Sequence, residues 1–133
     1  MKNSKLQVDS RAYLCLRCAG FLEQLVFLTV KAFLVRTASG PALAFSRSFF
    51  RQAPNLTAAA LDGVFERFGS EHKVKLSSFM TIGRHDTLSD LMSIRNLVAH
   101  GQLVGSGAKL DPTRYVKFCG DFYLWCVEMY FEE

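Results

Sequence analysis

The sequence predicts an all-α fold, an up-and-down bundle of four to five helices. Apolar residues recur at intervals of three and four over most of the chain, which is the period of an α-helix. No segment shows the apolar–polar alternation of a half-buried strand, and no internal repeat is present. The 133 residues are 50% apolar, enough for one hydrophobic core, so we expect a single domain over residues 1–133.

A long first helix is predicted from Asp9 to Thr37. Asp9 or Ser10 can cap it, and the run ASGP at 38–41 stops it. Gly20 lies in its middle, where glycine is costly unless another group packs close by. The apolar stripe expected to enter the core consists of Leu14, Cys18, Phe21, Leu25, Leu28, Ala32 and Val35.

A short Phe-rich segment and two shorter helices are predicted in the middle of the chain. A Phe-rich segment covers Ala42–Arg51. The next helix is capped by Asn55 or Thr57 and ends at about Phe68. Residues 70–84 fit either a short helix or a packed loop, and we predict a helix.

Two further helices complete the predicted bundle. The first ends at Gly101, and its N-cap is one of three polar residues, Asp86, Thr87 or Ser89. A Gly-rich linker at 105–109 leads to Asp111, an N-cap followed by Pro112 at the first helical position. The last helix covers Thr113 to about Phe131, and its predicted apolar face comprises Val116, Cys119, Tyr123, Cys126 and Tyr130.

Charge and hydropathy narrow the class of protein. A net charge of +4 and a pI near 9.0 are mildly basic and compatible with a nucleic-acid partner. Arg17, Glu23 and Lys31 interrupt the apolar first helix, so we expect a buried helix and no membrane partner. The polar N-terminus shows no secretory signal, which predicts a cytoplasmic location.

The sequence shows no conventional cofactor or metal motif. It has no Gly-rich phosphate loop, no G-x-S-x-G and no H-E-x-x-H, so we expect neither cofactor nor metal. Four cysteines are expected as buried free thiols, although Cys15 and Cys18 have a spacing also found in zinc and redox sites. His72 and His85 lie in polar surroundings and are expected to be solvated.

One motif contains side chains that together could catalyse a reaction. Arg95, Asn96 and His100 supply a cation, an amide and an imidazole, which suffice for metal-free transfer of a phosphodiester to its own ribose 2′-oxygen. Asn96 and His100 are four apart and share a helix face, but Arg95 and His100 are about 140° apart and converge only if the helix relaxes near Gly101. Alternatively, Arg95 and Asn96 face solvent and His100 caps the helix C-terminus.

The segment around this motif, LSDLMSIRNLVAHG, resembles the signature helix of the HEPN superfamily (higher eukaryotes and prokaryotes nucleotide-binding domains). Those all-α domains have an R-x4-6-H motif in their ribonuclease members, and Arg95, Asn96 and His100 fill its arginine, polar and histidine positions. The stretch AGFLEQLVFL at 19–28 resembles the opening of RiboL-PSP-HEPN-like members. Gln102 departs from the tyrosine of toxins that are modified by nucleotidyltransferase antitoxins.

This resemblance implies a metal-independent endoribonuclease that leaves 2′,3′-cyclic phosphate and 5′-hydroxyl ends. Cleavage needs a base and an acid, which a two-fold homodimer can supply as two His100 residues in one cleft. Arg95 would clamp the phosphate, and Asn96 would orient His100 or bond the phosphate. Glu23 is the expected helper residue, although it could instead face solvent or pair with a cation of its own helix, Lys31 or Arg17.

The expected partners follow from the same resemblance. Arg114, Tyr115 and Lys117 at the start of the last helix are candidate RNA contacts, unless they form an ordinary solvated face. The implied role is a toxin or phage-defence effector, with an antitoxin or regulatory protein as a further partner. Two alternatives stay open, a non-catalytic HEPN-type dimerisation or nucleotide-binding module and an unrelated structural bundle.

Overall fold

A computed structural model describes residues 5–48, 56–102 and 110–132 of the chain. Within these ranges no strand occurs, and the all-α prediction is confirmed. The six α-helices are α1 (Lys5–Thr37), α2 (Gly40–Ser48), α3 (Ala58–Glu66), α4 (Ser70–Phe79), α5 (Ile82–Ala99) and α6 (Pro112–Cys126), and a π-helical segment, Val127–Phe131, continues α6. The count exceeds the predicted four to five because the short segments α2 and α4 are both helical.

Two of the predicted N-caps are confirmed. The Thr57 hydroxyl accepts a hydrogen bond from the Ala60 N–H at 3.0 Å, and the Asp111 carboxylate accepts one from the Arg114 N–H at 3.3 Å. Each bond satisfies a backbone donor that the first helical turn leaves unpaired. The predicted linker 105–109, the alternative cap at Asn55 and the end of the Phe-rich segment at 49–51 lie outside the described residues.

The start of α5 differs from the prediction. The helix begins at Ile82, several residues before the predicted caps, because the Thr81 hydroxyl accepts a hydrogen bond from the Arg84 N–H at 3.4 Å. Arg84 also donates to the Phe79 carbonyl at 2.9 Å, which ties the new helix to the end of α4. The first helix also starts earlier than predicted, at Lys5 rather than after Asp9.

The core is formed by the packing of α1, α5 and α6, with α3 and α4 packed as a pair against it. The contacts between α1 and α6 advance together along both helices, so the two helices run parallel: Cys18 with Cys119, Phe21 with Tyr123 and Arg36 with Tyr130. The contacts between α5 and α6 advance in opposite directions, so these helices are antiparallel: Arg84 with Asp121 and Thr87 with Arg114.

The buried face of α1 matches the predicted one only in part. The helical period is correct, and Cys18 and Leu25 are buried as predicted, but the other core residues are Cys15, Ala19, Leu22, Val26 and Val30. Four members of the predicted stripe are exposed instead: Leu14, Phe21, Leu28 and Val35. Val116 and Tyr123 of α6 are likewise exposed rather than buried. Because α1 is apolar around most of its circumference, spacing alone fits two adjacent faces, and packing against α5 and α6 selects one.

An aromatic cluster closes one end of the core and contains His72. Its imidazole stacks on the Tyr130 ring and its Nδ1 lies 2.9 Å from the Tyr130 hydroxyl. It also meets Phe33 and Phe68 edge-on. The prediction of a solvated His72 is therefore wrong, because α4 turns this side chain inward. His85 is exposed, as expected.

Length and composition do not exclude a membrane span for α1. Residues Asp9–Thr37 are long enough to cross a bilayer and contain an 18-residue window with a mean hydropathy of 1.7, so the expectation based on interrupting charges was too strong. Within this protein, however, Glu23 of that helix is buried against Arg95 of α5, which is the environment of a core helix.

Candidate functional site

The end of α5 has a C-terminal capping geometry that is common in helices. The helix ends at Ala99, and His100 occupies the C-cap with φ −96° and ψ 6°. Gly101 follows with φ +66°, a left-handed conformation that glycine adopts without strain. Hydrogen bonds from the Gln102 N–H to the Leu97 carbonyl (2.7 Å) and from the Gly101 N–H to the Val98 carbonyl (3.1 Å) form a Schellman motif. The sequence therefore fixes His100 at the last turn of α5.

Arg95 is held by a carboxylate of the neighbouring helix. Its Nε lies 3.0 Å from Glu23 Oε1, and its Nη2 donates to Glu23 Oε2 at 3.3 Å. This paired geometry fixes the plane of the guanidinium. The Glu23 side chain is 12% exposed and that of Arg95 is 30% exposed, so one edge of the pair reaches solvent.

Glu23 neither faces solvent nor pairs with a cation of its own helix. Glu23 pairs with Arg95 of α5 and not with a cation of its own helix, and the Lys31 ammonium lies over the Phe27 ring at 4.4 Å. Burial raises the pKa of the Glu23 carboxyl, and the Arg95 charge opposes that rise. Desolvation is the larger of the two effects.

Asn96 and His100 lie on a different side of α5 from Arg95. Both are exposed, whereas Arg95 is half-buried beside the core-facing residues Leu91 and Ile94. No hydrogen bond or ion pair joins His100 to Arg95 within the described residues. Because α5 stays helical to Ala99, the angular separation of Arg95 and His100 persists. One protomer thus contains two pairs, Glu23 with Arg95 and Asn96 with His100, rather than one joined site.

A cavity lies between α5 and α6, and neither Asn96 nor His100 is among the residues that line it. It has a volume of about 310 Å³ and is lined by Asp90, Ser93, Ile94, Leu97, Asp111, Arg114 and Tyr115. Ser93 precedes Asn96 by three residues and His100 by seven, so all three share one face of the helix. Ser93 was not predicted from the sequence, although its spacing from Asn96 and His100 indicates that the three residues share a face.

The three residues predicted to contact RNA have different environments. Arg114 bridges α6 to α5, with its Nη1 donating to Asp90 and its Nε to Thr87, both at 2.9 Å. Lys117 is exposed and bonds Asp121 at 3.0 Å. The prediction that Tyr115 contacts RNA is wrong, because this residue is only 1% exposed. Burial also raises the pKa of its hydroxyl to about 12. It belongs to the core and is not available to RNA in this structure.

A second cleft lies at the other end of α5. It has a volume of about 410 Å³, and its polar lining includes Thr81, Arg84, Thr87, Arg114, Lys117 and Asp121. Asp121 lies 3.0 Å from the Lys117 ammonium and 3.6 Å from the Arg84 guanidinium. Its pKa is lowered, chiefly by the hydrogen bond from Lys117. Each cation of this cleft therefore has a carboxylate partner, with Arg84 and Lys117 sharing Asp121, and the groups form a surface network.

All four cysteines are buried free thiols. Burial raises the pKa of Cys15 to about 11 and those of Cys119 and Cys126 to about 12. Among the described residues, no group of three or more histidine, cysteine or acidic side chains has a geometry that could hold a metal ion.

Comparison of the chain with protein-family models, with curated proteins and with solved structures gave no match. The likeness to HEPN domains therefore rests on the residues of this chain alone.

Proposed function

We propose that this protein is a metal-independent endoribonuclease of the HEPN type, which cleaves RNA to leave 2′,3′-cyclic phosphate and 5′-hydroxyl ends. The observation that supports it best is that Asn96 and His100 are both exposed and lie four residues apart, on one face of α5. On the adjacent side of the same helix, Glu23 holds the guanidinium of Arg95 in a fixed plane.

Each group has a defined task in this reaction. One His100 imidazole takes the proton of the ribose 2′-hydroxyl as the 2′-oxygen attacks phosphorus, and a protonated His100 gives its proton to the departing 5′-oxygen. Arg95 neutralises the charge that develops on the phosphoryl oxygens. Asn96, one turn before His100, orients the imidazole or donates to the phosphate.

The reaction calls for two copies of the chain. A single protomer supplies one such histidine, and its Arg95 and His100 lie on different sides of α5. A two-fold homodimer brings two copies of each residue to one cleft, so that the base and the acid come from different subunits. Arg114 and Lys117 would contact the RNA outside this centre, after exchanging their present carboxylate partners for phosphates.

The cellular role in this proposal is that of a cytoplasmic toxin or phage-defence effector. Such a nuclease needs control by an antitoxin or another regulatory protein. Gln102 takes the place of the tyrosine that certain antitoxins modify, so control would follow another route.

A second candidate is a non-catalytic HEPN-type module for dimerisation or nucleotide binding. It is favoured by the paired contact of Glu23 with Arg95, because the carboxylate already occupies two donors of the guanidinium. In that case the pair is a structural link between α1 and α5.

The two candidates differ in their response to His100→Ala. His100 is exposed at the helix end, so the variant should keep the circular dichroism and melting temperature of the wild type. Nuclease activity should fall by about 10⁴-fold or more, because general acid–base catalysis is worth about 10²–10⁴-fold and both copies are lost. His85→Ala, at an exposed histidine of the same helix, is the matched control and should stay active.

Arg95→Lys adds a test of the cation. It keeps the charge but loses the planar fork, so cleavage should be strongly impaired. Near wild-type cleavage by His100→Ala, in chains whose fold is unchanged, would instead favour the non-catalytic module.

A further inference from the structure

The cavity between α5 and α6 contains a buried tyrosine hydroxyl that has no hydrogen-bond partner. Tyr115 is 1% exposed, yet it lines this space of about 310 Å³. Its hydroxyl forms no hydrogen bond to any of the residues that the structure describes. Every sealed side-chain oxygen or nitrogen in that part of the chain has a partner, so the Tyr115 oxygen opens into the cavity. A buried tyrosine hydroxyl normally finds a partner, and an unpaired one that faces a cavity therefore marks a position for a ligand.

The charged side chains of the cavity leave one negative charge in excess. Arg114 is paired with Asp90, with 2.9 Å between Nη1 and Oδ2. Asp111 accepts a hydrogen bond from the Arg114 backbone N–H, but within the described residues it forms no ion pair. Because two carboxylates and one guanidinium line the cavity, the charge of Asp111 is not balanced there.

The Tyr115 hydroxyl lies in the field of both carboxylates. Burial raises the pKa of Tyr115 to about 12, and the charges of Asp90 and Asp111 contribute to this rise. The phenol is therefore protonated at pH 7, and its oxygen can still accept a hydrogen bond. Together with the Ser93 hydroxyl and the Asp111 carboxylate, it gives the cavity three groups that accept hydrogen bonds through oxygen.

The rest of the lining limits the size and shape of a ligand. Ile94 and Leu97 contribute aliphatic side chains to the wall. The volume lies at the lower end of the range for small-molecule sites, which is about 300–1,000 Å³. A ligand that fits is therefore small, on the order of ten non-hydrogen atoms, and has an apolar part.

We propose that this cavity binds a small organic cation, a protonated primary amine with a short apolar body. An ammonium group has three N–H donors and no acceptor, which matches the oxygens of Asp111, Tyr115 and Ser93. Its single positive charge balances the excess negative charge of the lining. The apolar body packs on Ile94 and Leu97.

Other classes of ligand fit this lining less well. Among the residues that line the cavity, Asp90 and Asp111 are the only carboxylates, and histidine and cysteine do not occur. Two carboxylates fall short of the coordination shell of a metal ion, and the Arg114 charge on the same wall opposes a divalent cation. An anion would meet the two carboxylates.

A charged probe and its neutral counterpart test the site on the wild-type protein. Phenethylamine and phenethyl alcohol have nearly the same shape, but only the amine is charged at pH 7. In an NMR titration of isotope-labelled protein, the amine should bind saturably with a dissociation constant of about 1 mM, and the alcohol at least about ten-fold more weakly. The amide signals that shift should cluster around Ser93 and Asp111.

Two conservative variants locate the binding. Asp111→Asn removes the charge but keeps an oxygen that can cap α6, and Tyr115→Phe removes only the unpaired hydroxyl. Each should weaken binding of the amine by about ten-fold or more, because each removes one interaction with a charged group. Asp86→Asn, at an exposed carboxylate of α5 outside the cavity, is the matched control and should change the binding by less than about two-fold. Circular dichroism verifies the fold of all three variants.

The outcomes decide this proposal independently of RNA cleavage, since neither Asn96 nor His100 lines the cavity. Saturable binding of the amine that both cavity variants weaken supports it. No saturable binding of phenethylamine up to about 10 mM, or equal binding of the alcohol, overturns it. Wild-type affinity in a folded Asp111→Asn or Tyr115→Phe protein, or an equal loss in Asp86→Asn, also overturns it. If one cavity variant unfolds, the other variant and the comparison of amine with alcohol decide.

Discussion

The Glu23–Arg95 pair should respond unequally to the loss of its two members. Burial raises the pKa of the Glu23 carboxyl despite the neighbouring Arg95, so ionised Glu23 gains no net stability from the pairing. Glu23→Gln should therefore change the free energy of unfolding at pH 7 by less than about 1 kcal/mol. Arg95→Gln should be strongly destabilising at the same pH, because it leaves a carboxylate that is 12% exposed without its counter-charge.

The size of the Arg95→Gln effect can be bounded. Removal of one partner from a fully buried pair costs about 3–5 kcal/mol, and the 30% exposure of Arg95 places this pair below that range, at about 2 kcal/mol. The folded protein can also protonate Glu23. Protonating a carboxyl with the ordinary pKa of 4.5 at pH 7 costs about 3.4 kcal/mol, and this value is the upper limit for the loss of stability in Arg95→Gln. For 133 residues, 2 kcal/mol corresponds to a fall in melting temperature of about 7 °C.

The pH dependence provides the decisive signature. A raised pKa means that the folded state holds a proton that the unfolded state has released, so stability from this carboxyl is complete below about pH 4.5 and is lost as pH rises through the folded pKa. Arg95→Gln removes the charge that lowers this pKa and raises it further. The deficit of the variant relative to wild type should therefore shrink as pH falls from 7 towards 4.5.

Urea denaturation at one fixed protein concentration, followed by circular dichroism across this pH range, measures the deficit. The double variant Glu23→Gln/Arg95→Gln is the control and should show no pH-dependent part. A deficit of Arg95→Gln that does not vary with pH, or a loss clearly above about 1 kcal/mol in Glu23→Gln, would refute the reasoning.

Two further predictions concern thiols and helix capping. Burial raises the pKa of Cys119 and Cys126 to about 12, so the native protein at pH 7.5 should react slowly with Ellman's reagent, whereas the protein unfolded in urea should react fully. Elemental analysis should find no stoichiometric zinc. Fast reaction of the native protein, or bound zinc, would contradict this prediction. Asp111→Ala should lower stability by about 1 kcal/mol, or about 4 °C in melting temperature, because the Arg114 N–H loses its cap; the exposed Ser77→Ala in α4 should have no such effect.

Helix periodicity was sufficient to predict the fold class but not every boundary. Thr57 and Asp111 were identifiable as caps because each stands directly before a helical pattern. Thr81 was missed because Gly83 weakens the first turn of α5 and because later polar residues also fit the N-cap. The hydrogen bond of Arg84 to the Phe79 carbonyl favours the earlier start, and it depends on where α4 ends.

Contacts between residues that are far apart in the chain could not be predicted from the sequence. Spacing places Asn96 beside His100, but it cannot tell that Glu23 faces Arg95, 72 residues away, rather than a cation of its own helix. The same limit explains Tyr115, because an aromatic residue in the first turn of α6 fits either a solvated face or the core. For Leu14 and Phe21 of α1, which are each 42% exposed, periodicity detects an apolar face without saying whether that face enters the core.

The chemistry of the RNA ends tests the central claim most directly. Purified protein is incubated with a defined RNA in excess EDTA, and the fragments are analysed by mass spectrometry. The account predicts 2′,3′-cyclic phosphate and 5′-hydroxyl ends at each cut. It also predicts that His100→Ala abolishes this cleavage. Fragments with 3′-hydroxyl and 5′-phosphate ends, or no cleavage above the level of His100→Ala, would contradict it.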